Sequence, residues 1–380
     1  MQHKTSLYRL YPSKPQARLL DSTFELGRHW YNQCLAERKN AYEQEQRTVG
    51  KYDQLARVKD VKATNPYAKN VHSHVLQTVV QDLEKAFAAF FRRVKAGEKA
   101  GYPRFRGRNH WRSFGFKELG NGFKADGRRL KLSGIGRVAI RWHRPLEGQI
   151  KTLRISKKAG KWYASFSCVV DAQPLPATGA VIGLDVGLSA LVTTFTGEKV
   201  ENLRWYRSSQ KALRVAQRRV SRRVKGSSGR RKTIRLLQRQ HEHITNQRKD
   251  YLNKLVHGFI SRYDLIAVED LNIARMVHGN LAKSILDAGW SYFVLQLTHK
   301  AESAGRKLVP IDSRYTSKTC SQCEKQFESL TLKDRWVRCD CGLSLDRDHN
   351  AAINILNRAG QARWRLSSPM GRLGQEAVGL

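Results

Sequence analysis

Acidic residues are scarce in this chain of 380 residues: 32 Asp and Glu stand against 70 Lys and Arg, a formal charge of +38. A compact protein with that excess repels itself unless its cationic face normally meets phosphates or acidic lipid. Long apolar runs are missing too. No stretch approaches the roughly 18 apolar residues that span a bilayer, so a membrane-spanning protein is excluded. Nor does the start carry a cleavable apolar segment: Leu7-Tyr8-Arg9-Leu10 reads as a strand, and secretion is not expected. Cysteines fit for a disulfide framework are lacking, because only Cys34 and Cys168 lie outside the group Cys320, Cys323, Cys339 and Cys341. Such crowding is metal arithmetic. There is no internal repeat and no long low-complexity tract. What is present, a 40% hydrophobic share and eight Trp, excludes a disordered chain, and the length suggests two or three domains.

Periodicity organises the rest. From Lys14-Pro15 onward, Leu20, Phe24, Tyr31 and Leu35 recur at helical spacing, with Gly27 and Cys34 flanking the stripe. A second helix is expected from about His74 to Lys95, apolar through Val75, Leu76, Val79, Val80, Leu83, Ala86, Phe87 and Phe90, with Gln77, Lys85, Arg92 and Arg93 on its other side. The polar segment between them, ending in Asn65-Pro66, reads as a connector. After Gly101 short alternating runs take over (112–116, 138–142, 162–168), the mark of antiparallel β structure. The simplest arrangement is a β domain that takes its first strand from the N-terminus and holds the helical region as an insertion. Residues 171–179, with Pro174 and Pro176, read as a linker to a second domain of alternating strands and helices, with strands at 181–185, 190–195, 265–269 and 307–311.

Three acids stand where a strand ends or a helix begins: Asp185, Glu269 and one of the pair Asp346 and Asp348. Carboxylates facing phosphate weaken binding unless divalent cations sit between them, and Mg²⁺ prefers such hard oxygen donors. A pair of such ions can activate water and stabilise the leaving oxygen of a phosphodiester. In 265–270, strand alternation puts Glu269 and Asp270 on opposite faces, so only one can point at a given site, while Gly183 shares a face with Asp185. Gly187 is expected to let a nucleic-acid backbone approach. Asp346 or Asp348 can instead cap the helix expected over 350–359. Cys320-Ser321-Gln322-Cys323 and Cys339-Asp340-Cys341-Gly342 supply four thiolates, enough for a closed, structural Zn²⁺ site, although the second pair is one residue tighter than the usual spacing.

The most basic stretch, 202–241, has no Asp or Glu and includes Arg218, Arg219, Arg222 and Arg223. Segment 102–112 interleaves Arg104, Arg106, Arg108 and Arg112 with aromatics, which suits phosphate pairing and base stacking or, equally, places the aromatics in the β core.

Taken in order, Gly183-Leu184-Asp185-Val186-Gly187, Val268-Glu269-Asp270-Leu271-Asn272, the cysteine knuckles and Asp346-Arg347-Asp348-His349-Asn350-Ala351-Ala352-Ile353-Asn354-Ile355 resemble the TnpB family. These are insertion-sequence-encoded relatives of type V CRISPR effectors. The resemblance extends to Arg28-His29-Trp30-Tyr31-Asn32, to 77–91 and to Tyr102-Pro103-Arg104-Phe105. It implies a multidomain α+β protein: a β-barrel-like, wedge-like domain (1–13 and 101–172), a helical recognition insertion (14–100), a RuvC nuclease domain of RNase H-like α/β fold (180–311 and 343–360), a zinc-knuckle insertion (312–342) and a tail (361–380). It further implies an RNA-guided endonuclease cutting double-stranded DNA beside a short motif, with guide RNA and target DNA as partners, in the cytoplasm of a bacterium or archaeon. Asp185, Glu269 and Asp348 become the catalytic Mg²⁺ ligands, with Asp346 as substitute for the third. Gln77, Arg104, Arg106, Arg218, Arg219, Arg222 and Arg223 become nucleic-acid contacts, and base pairing carries the sequence reading. A nuclease-independent guide-directed repressor and an accessory transposase are the competing functions.

Overall fold

The computed structural model describes residues 1–367 apart from Asn109 and Leu332, with side chains described to residue 360. The expected tail lies outside the described residues from 368 onward. The chain separates into two compact units, Met1–Asp171 and the remainder from Ala172.

In the first unit, strand β1 (Gln2–Tyr11) leads into helix α1 (Lys14–Glu45), started by a reciprocal cap between Ser13 and Gln16. The connector is not a plain loop but three short helices, α2 (Lys51–Ala56), α3 (Val58–Thr64) and α4 (Pro66–Lys69), before α5 (Ser73–Lys95). Asn65 caps α4 by accepting from the amides of Tyr67 and Ala68, which explains the Asn-Pro pair. Seven strands follow: β2 (Ser113–Phe116), β3 (Glu118–Leu119), β4 (Gly122–Asp126), β5 (Arg129–Leu132), β6 (Gly136–Arg141), β7 (Gln149–Lys158) and β8 (Lys161–Val170). With β1 they form one sheet in the order β2-β7-β8-β1-β6-β5-β4-β3, nearly closed into a barrel because β3 returns against β7. The N-terminal strand is thus central. Along β8, Trp162, Ala164, Phe166 and Cys168 alternate inward, and Phe24 of α1 stacks on Trp162 at 5.3 Å. Gly27 and Cys34 are not on a flank: both are buried, and a Cβ on Gly27 would meet Trp111 Nε1 at 2.8 Å.

The second unit opens with residues 172–180, which have no regular structure. They are clasped by Asp264, whose carboxylate accepts from the amides of Thr178 (2.8 Å) and Gly179 (2.7 Å) and pairs with Arg306. The elements are β9 (Val181–Val186), β10 (Ala190–Thr194), β11 (Lys199–Glu201), α6 (Trp205–Ser221), α7 (Ser228–Arg262), β12 (Leu265–Glu269), α8 (Ile273–Met276), α9 (Ala282–Ala288), α10 (Trp290–Ala304) and β13 (Lys307–Ile311). The hairpin β14 (Trp336–Arg338) and β15 (Ser344–Asp346) and helix α11 (Arg347–Ser367) complete it. The sheet runs β11-β10-β9-β12-β13, with β9, β12 and β13 parallel and β10 and β11 antiparallel to their neighbours.

Every residue of β12 is buried because both faces of this sheet are covered. Ile266 and Val268 pack with Val256, Phe259 and Phe293 of α7 and α10. Leu265 and Ala267 pack with Ile355 and Ala359 of α11 on the opposite face. At Gly183 this second layer reaches backbone on backbone: a Cβ there would lie inside the radius of the Ala352 carbonyl oxygen and 2.8 Å from Leu356 Cβ. The obstructing atoms belong to a helix backbone, which cannot rotate aside. Gly183→Ala should therefore push α11 off the sheet and lower the melting temperature by roughly 3–10 °C in a thermal scan. An unchanged melting point would show that the helix is not seated there.

Candidate functional site

The strand register brings the first two acids together. In the parallel pair β9 and β12, Leu184 stands opposite Val268, so Asp185 and Glu269 occupy the next rung on neighbouring strands, about 4.8 Å apart at the backbone. Alternation places both on the face covered by α11, the face of Gly183 and Ala267. The third acid arrives through the helix. Asp348 lies one turn before Ala352, whose contact with Gly183 sets the height of α11 on the strand two residues before Asp185.

Charge reflects this convergence. Burial, then the neighbouring charges of Glu269 and Asp348, push the Asp185 carboxyl well above its usual value. Burial also raises Glu269, against the Thr316 hydroxyl bonded to its Oε1 and the Arg358 charge. Asp348 Oδ2 accepts from Ser189 Oγ at 3.1 Å. Asp346 serves differently: its Oδ1 accepts from the amides of Asp348 (3.0 Å) and His349 (3.2 Å), and its Oδ2 pairs with Lys199 at 2.8 Å. It caps α11, so the capping role falls on Asp346 and not on Asp348. Partial burial works to raise the Asp346 carboxyl, but Lys199 and these amides hold it below the ordinary range. Asp270 is exposed, beyond the buried end of β12. Arg347, whose charge opposes the rise at Asp185, is itself committed to the carbonyl of Thr331 (2.6 Å) and to Ser317 Oγ (3.2 Å). Arg358 is likewise bonded to the carbonyls of Asp312 (3.0 Å) and Arg314 (2.7 Å). Asp185 faces the charges of both Glu269 and Asp348, the neighbouring cations are bonded elsewhere, and carboxylate oxygens are the donor type that suits hard divalent cations.

The four cysteine sulfurs lie within 4.8 Å of one another, a group able to hold a metal ion. Cys320 and Cys341 approach to 3.6 Å, Cys323 and Cys339 to 3.5 Å. Tetrahedral thiolates around zinc stand about 3.8 Å apart, so the spacing fits. The tight second pair is accommodated by a turn: Gly342 at φ +94° donates to the Cys339 carbonyl, and Cys339 donates to that of Leu343.

Several residues that sequence reasoning passed over join these two clusters. Asn350, fully buried, accepts from the Ser321 amide (2.9 Å) and donates to the Thr319 carbonyl (2.8 Å). Asn354 donates to the carbonyls of Thr316 (2.8 Å) and Thr319 (2.7 Å). Their spacing of four on α11, a single helical face, was the available signal. His349 Nε2 lies 2.9 Å from the Phe195 carbonyl. Gly187 proves to serve its own turn, since a Cβ would meet the Ala190 carbonyl at 2.9 Å.

The basic residues form separate groups. Arg104 and Arg106 are exposed in the first unit, on a segment tied to α1 by Asn32, which accepts from the Arg106 amide (2.7 Å) and donates to its carbonyl (3.0 Å). The aromatics there divide: Phe105 is 54% exposed, whereas Tyr102 packs edge-on against Phe87 and Phe90, and Trp111 lies against Tyr31. Gln77 is half-buried on α5. Arg218, Arg219, Arg222 and Arg223 are exposed at the turn of the α6–α7 hairpin in the second unit. That hairpin is anchored at its base, where Asp287 of α9 accepts from the amides of Tyr206 (2.8 Å) and Arg207 (3.2 Å) and caps α6. Among the described residues no helix is long and apolar enough to cross a membrane.

Comparison with known proteins gives the chain relatives over most of its length. Residues 165–279 match a family model described as "Probable transposase", residues 290–355 one described as "Cas12f1-like, TNB domain", and residues 1–47 a "Helix-turn-helix domain" that this chain builds as β1 and the unbroken α1. A candidate RNA-guided DNA endonuclease of Streptomyces pristinaespiralis is 37% identical over 92% of this chain and 87% of its own. InsQ of Escherichia coli K12, described in the same words, is 31% identical over 78% and 76%. The solved structure of a Cas12f1–sgRNA–target DNA complex shares the fold, with a TM-score of 0.62 at 12% identity over 94% of this chain and 99% of that one. The chain belongs to the TnpB family, the insertion-sequence-encoded relatives of type V CRISPR effectors.

Proposed function

We propose that this chain is an RNA-guided DNA endonuclease that cuts double-stranded DNA beside a short motif, with a RuvC-type site on an RNase H-like domain. The reading is supported above all by the convergence of Asp185, Glu269 and Asp348 from three elements onto one sheet face in a chain of charge +38. Asp185, Glu269 and Asp348 would hold Mg²⁺, which supplies an activated water and a counter-charge for the leaving oxygen. The protein's part is to present the three carboxylates at fixed height, through β9, β12 and the seat of α11 at Gly183. Asp346 and Ser189 orient the start of that helix and the Asp348 carboxylate. The four cysteines would hold a structural Zn²⁺ with no open position. Gln77, Arg104 and Arg106 in one unit and the hairpin arginines in the other are assigned to guide RNA and target phosphates, and base pairing reads the sequence. A non-catalytic repressor gains nothing from three adjacent carboxylates amid so many cations, which is why cleavage is preferred to binding alone.

The purified protein should carry a specific RNA and, with Mg²⁺, cut DNA matching it. Asp185→Ala should bind RNA and target normally yet cut only at background; retained cutting removes the catalytic assignment. The raised Asp185 carboxyl has a stability corollary. Its folded-state value lies above the unfolded one, so its contribution is fully present below about pH 3.9 and is lost as pH rises through the folded value. Asp185→Asn should therefore raise the neutral-pH melting temperature of metal-free protein by a few degrees and abolish its stabilisation by Mg²⁺. Replacing Arg218, Arg219, Arg222 and Arg223 with Ala should flatten the log–log salt dependence of nucleic-acid binding by about 0.7–0.9 for each phosphate that the hairpin no longer neutralises. An unaltered slope would place the hairpin away from the nucleic acid.

A further inference from the structure

Beside the asparagine contacts of α11, one side chain runs from the segment before the cysteines directly to a member of the acid trio. Thr316 is 2% exposed, and its hydroxyl donates to Glu269 Oε1 while lying 3.1 Å from the Ser313 carbonyl. Its own carbonyl accepts from Asn354 of α11, the helix that delivers Asp348. Four residues further on, Cys320 begins the metal-binding cluster, and the intervening Thr319 carbonyl is held by both Asn350 and Asn354. The preceding residue, Tyr315, sits at φ +62°, a left-handed conformation that a bulky side chain adopts only when its surroundings impose it. The backbone is therefore bent to aim Thr316 inward. The other oxygen, Glu269 Oε2, has no protein hydrogen-bond donor among the described residues.

We propose that Thr316 is a positioning residue for the acid site: its hydroxyl holds Glu269 Oε1, leaves Oε2 as the oxygen that would bind a divalent cation, and makes the fold of the cysteine module a condition of metal binding at the acids. This rests on the nuclease reading above. Holding one carboxylate oxygen leaves a single rotamer available to the metal, so the ordering penalty is met during folding and not on binding. The effect of losing such an outer hydrogen bond on metal affinity is about 10–100-fold.

The test compares Thr316→Val, which keeps the shape and removes the hydroxyl, with Thr316→Ser, which keeps the hydroxyl. Mn²⁺ affinity is measured by electron paramagnetic resonance on the zinc-loaded full chain with guide RNA, after subtracting ions bound by the Asp185→Ala complex. Zinc per chain and the Mg²⁺ dependence of cleavage are read in parallel. Thr316→Val should retain one zinc per chain, bind Mn²⁺ at least about tenfold more weakly and need correspondingly more Mg²⁺ for half-maximal cutting; Thr316→Ser should recover Mn²⁺ affinity to within about twofold. Parental Mn²⁺ affinity in Thr316→Val, a Thr316→Ser variant as weak as Val, or loss of zinc from Thr316→Val would each overturn the positioning role, the last by making Thr316 structural. Glu269→Gln separates the two levels. If it still cuts, Glu269 is not a catalytic metal ligand and the acid-site assignment on which this proposal rests fails; if it is inert while Thr316→Val behaves as the parent, only the role of Thr316 fails.

Discussion

Everything in the second unit depends on how close helix α11 can come to strand β9. The contact at Gly183 is backbone against backbone, and it puts the first turn of the helix over the strand ends that carry Asp185 and Glu269. A wider separation would still leave a stable α/β layer, since Ile355 and Ala359 could pack on Leu265 and Ala267 with modest repacking. It would not bring Asp348 near enough to raise Asp185. The glycine is thus a spacer whose missing methyl defines the dimensions of the acid cluster.

That cluster opposes the fold that holds it. Burial and like charge disfavour ionised Asp185, and the surrounding protein relieves the acids only in part: Arg347 lowers Asp185 while bonded to the loop at Thr331, Thr316 and Arg358 lower Glu269, and Lys199 is taken by Asp346. Strain of this kind persists where neighbouring structure over-determines it, and here the surroundings are built for that. Asn350 and Asn354 pin residues 316–321 to α11, Asp346 caps the same helix, and His349 reaches the Phe195 carbonyl. The run from Asp346 to Asn354 therefore contains one acid for the cluster, and around it residues whose work is to keep that acid in place.

Much of this was legible from residue order. Alternation in 265–270 let only one of Glu269 and Asp270 point at a given site, and the structure keeps Glu269 buried on β12 with Asp270 exposed beyond it; the helical stripe of α1 and the inward positions of β8 follow directly from period. The four cysteines announced a common site despite their uneven spacing, because a glycine turn absorbs the missing residue. Other features were not visible in spacing. The connector before α5 gave no sign of its three helices because helices of four to seven residues have too few turns to show a periodic stripe. Gly187 also has a local requirement that spacing does not show, since the Ala190 carbonyl of its own turn needs the space. The aromatics of 102–112 could not be sorted, because exposure of Phe105 and partial burial of Trp111 depend on how Asn32 ties that segment to α1.

The sequence by itself determined the charge imbalance, the strand and helix periods, the presence of two candidate metal-binding groups and the family. These are properties of composition and of short-range spacing, which survive without coordinates. Tertiary structure alone decided which of Asp346 and Asp348 caps a helix and which crowds Asp185, that Gly183 is the seat of α11, and that Thr316 links the cysteine module to Glu269. Each of those depends on residues remote in the chain meeting in space, as Thr316 meets Glu269 across 47 positions, or on which oxygen of one residue meets which amide of another. Spacing along a chain carries no record of such distances, because they are set only when the layers pack.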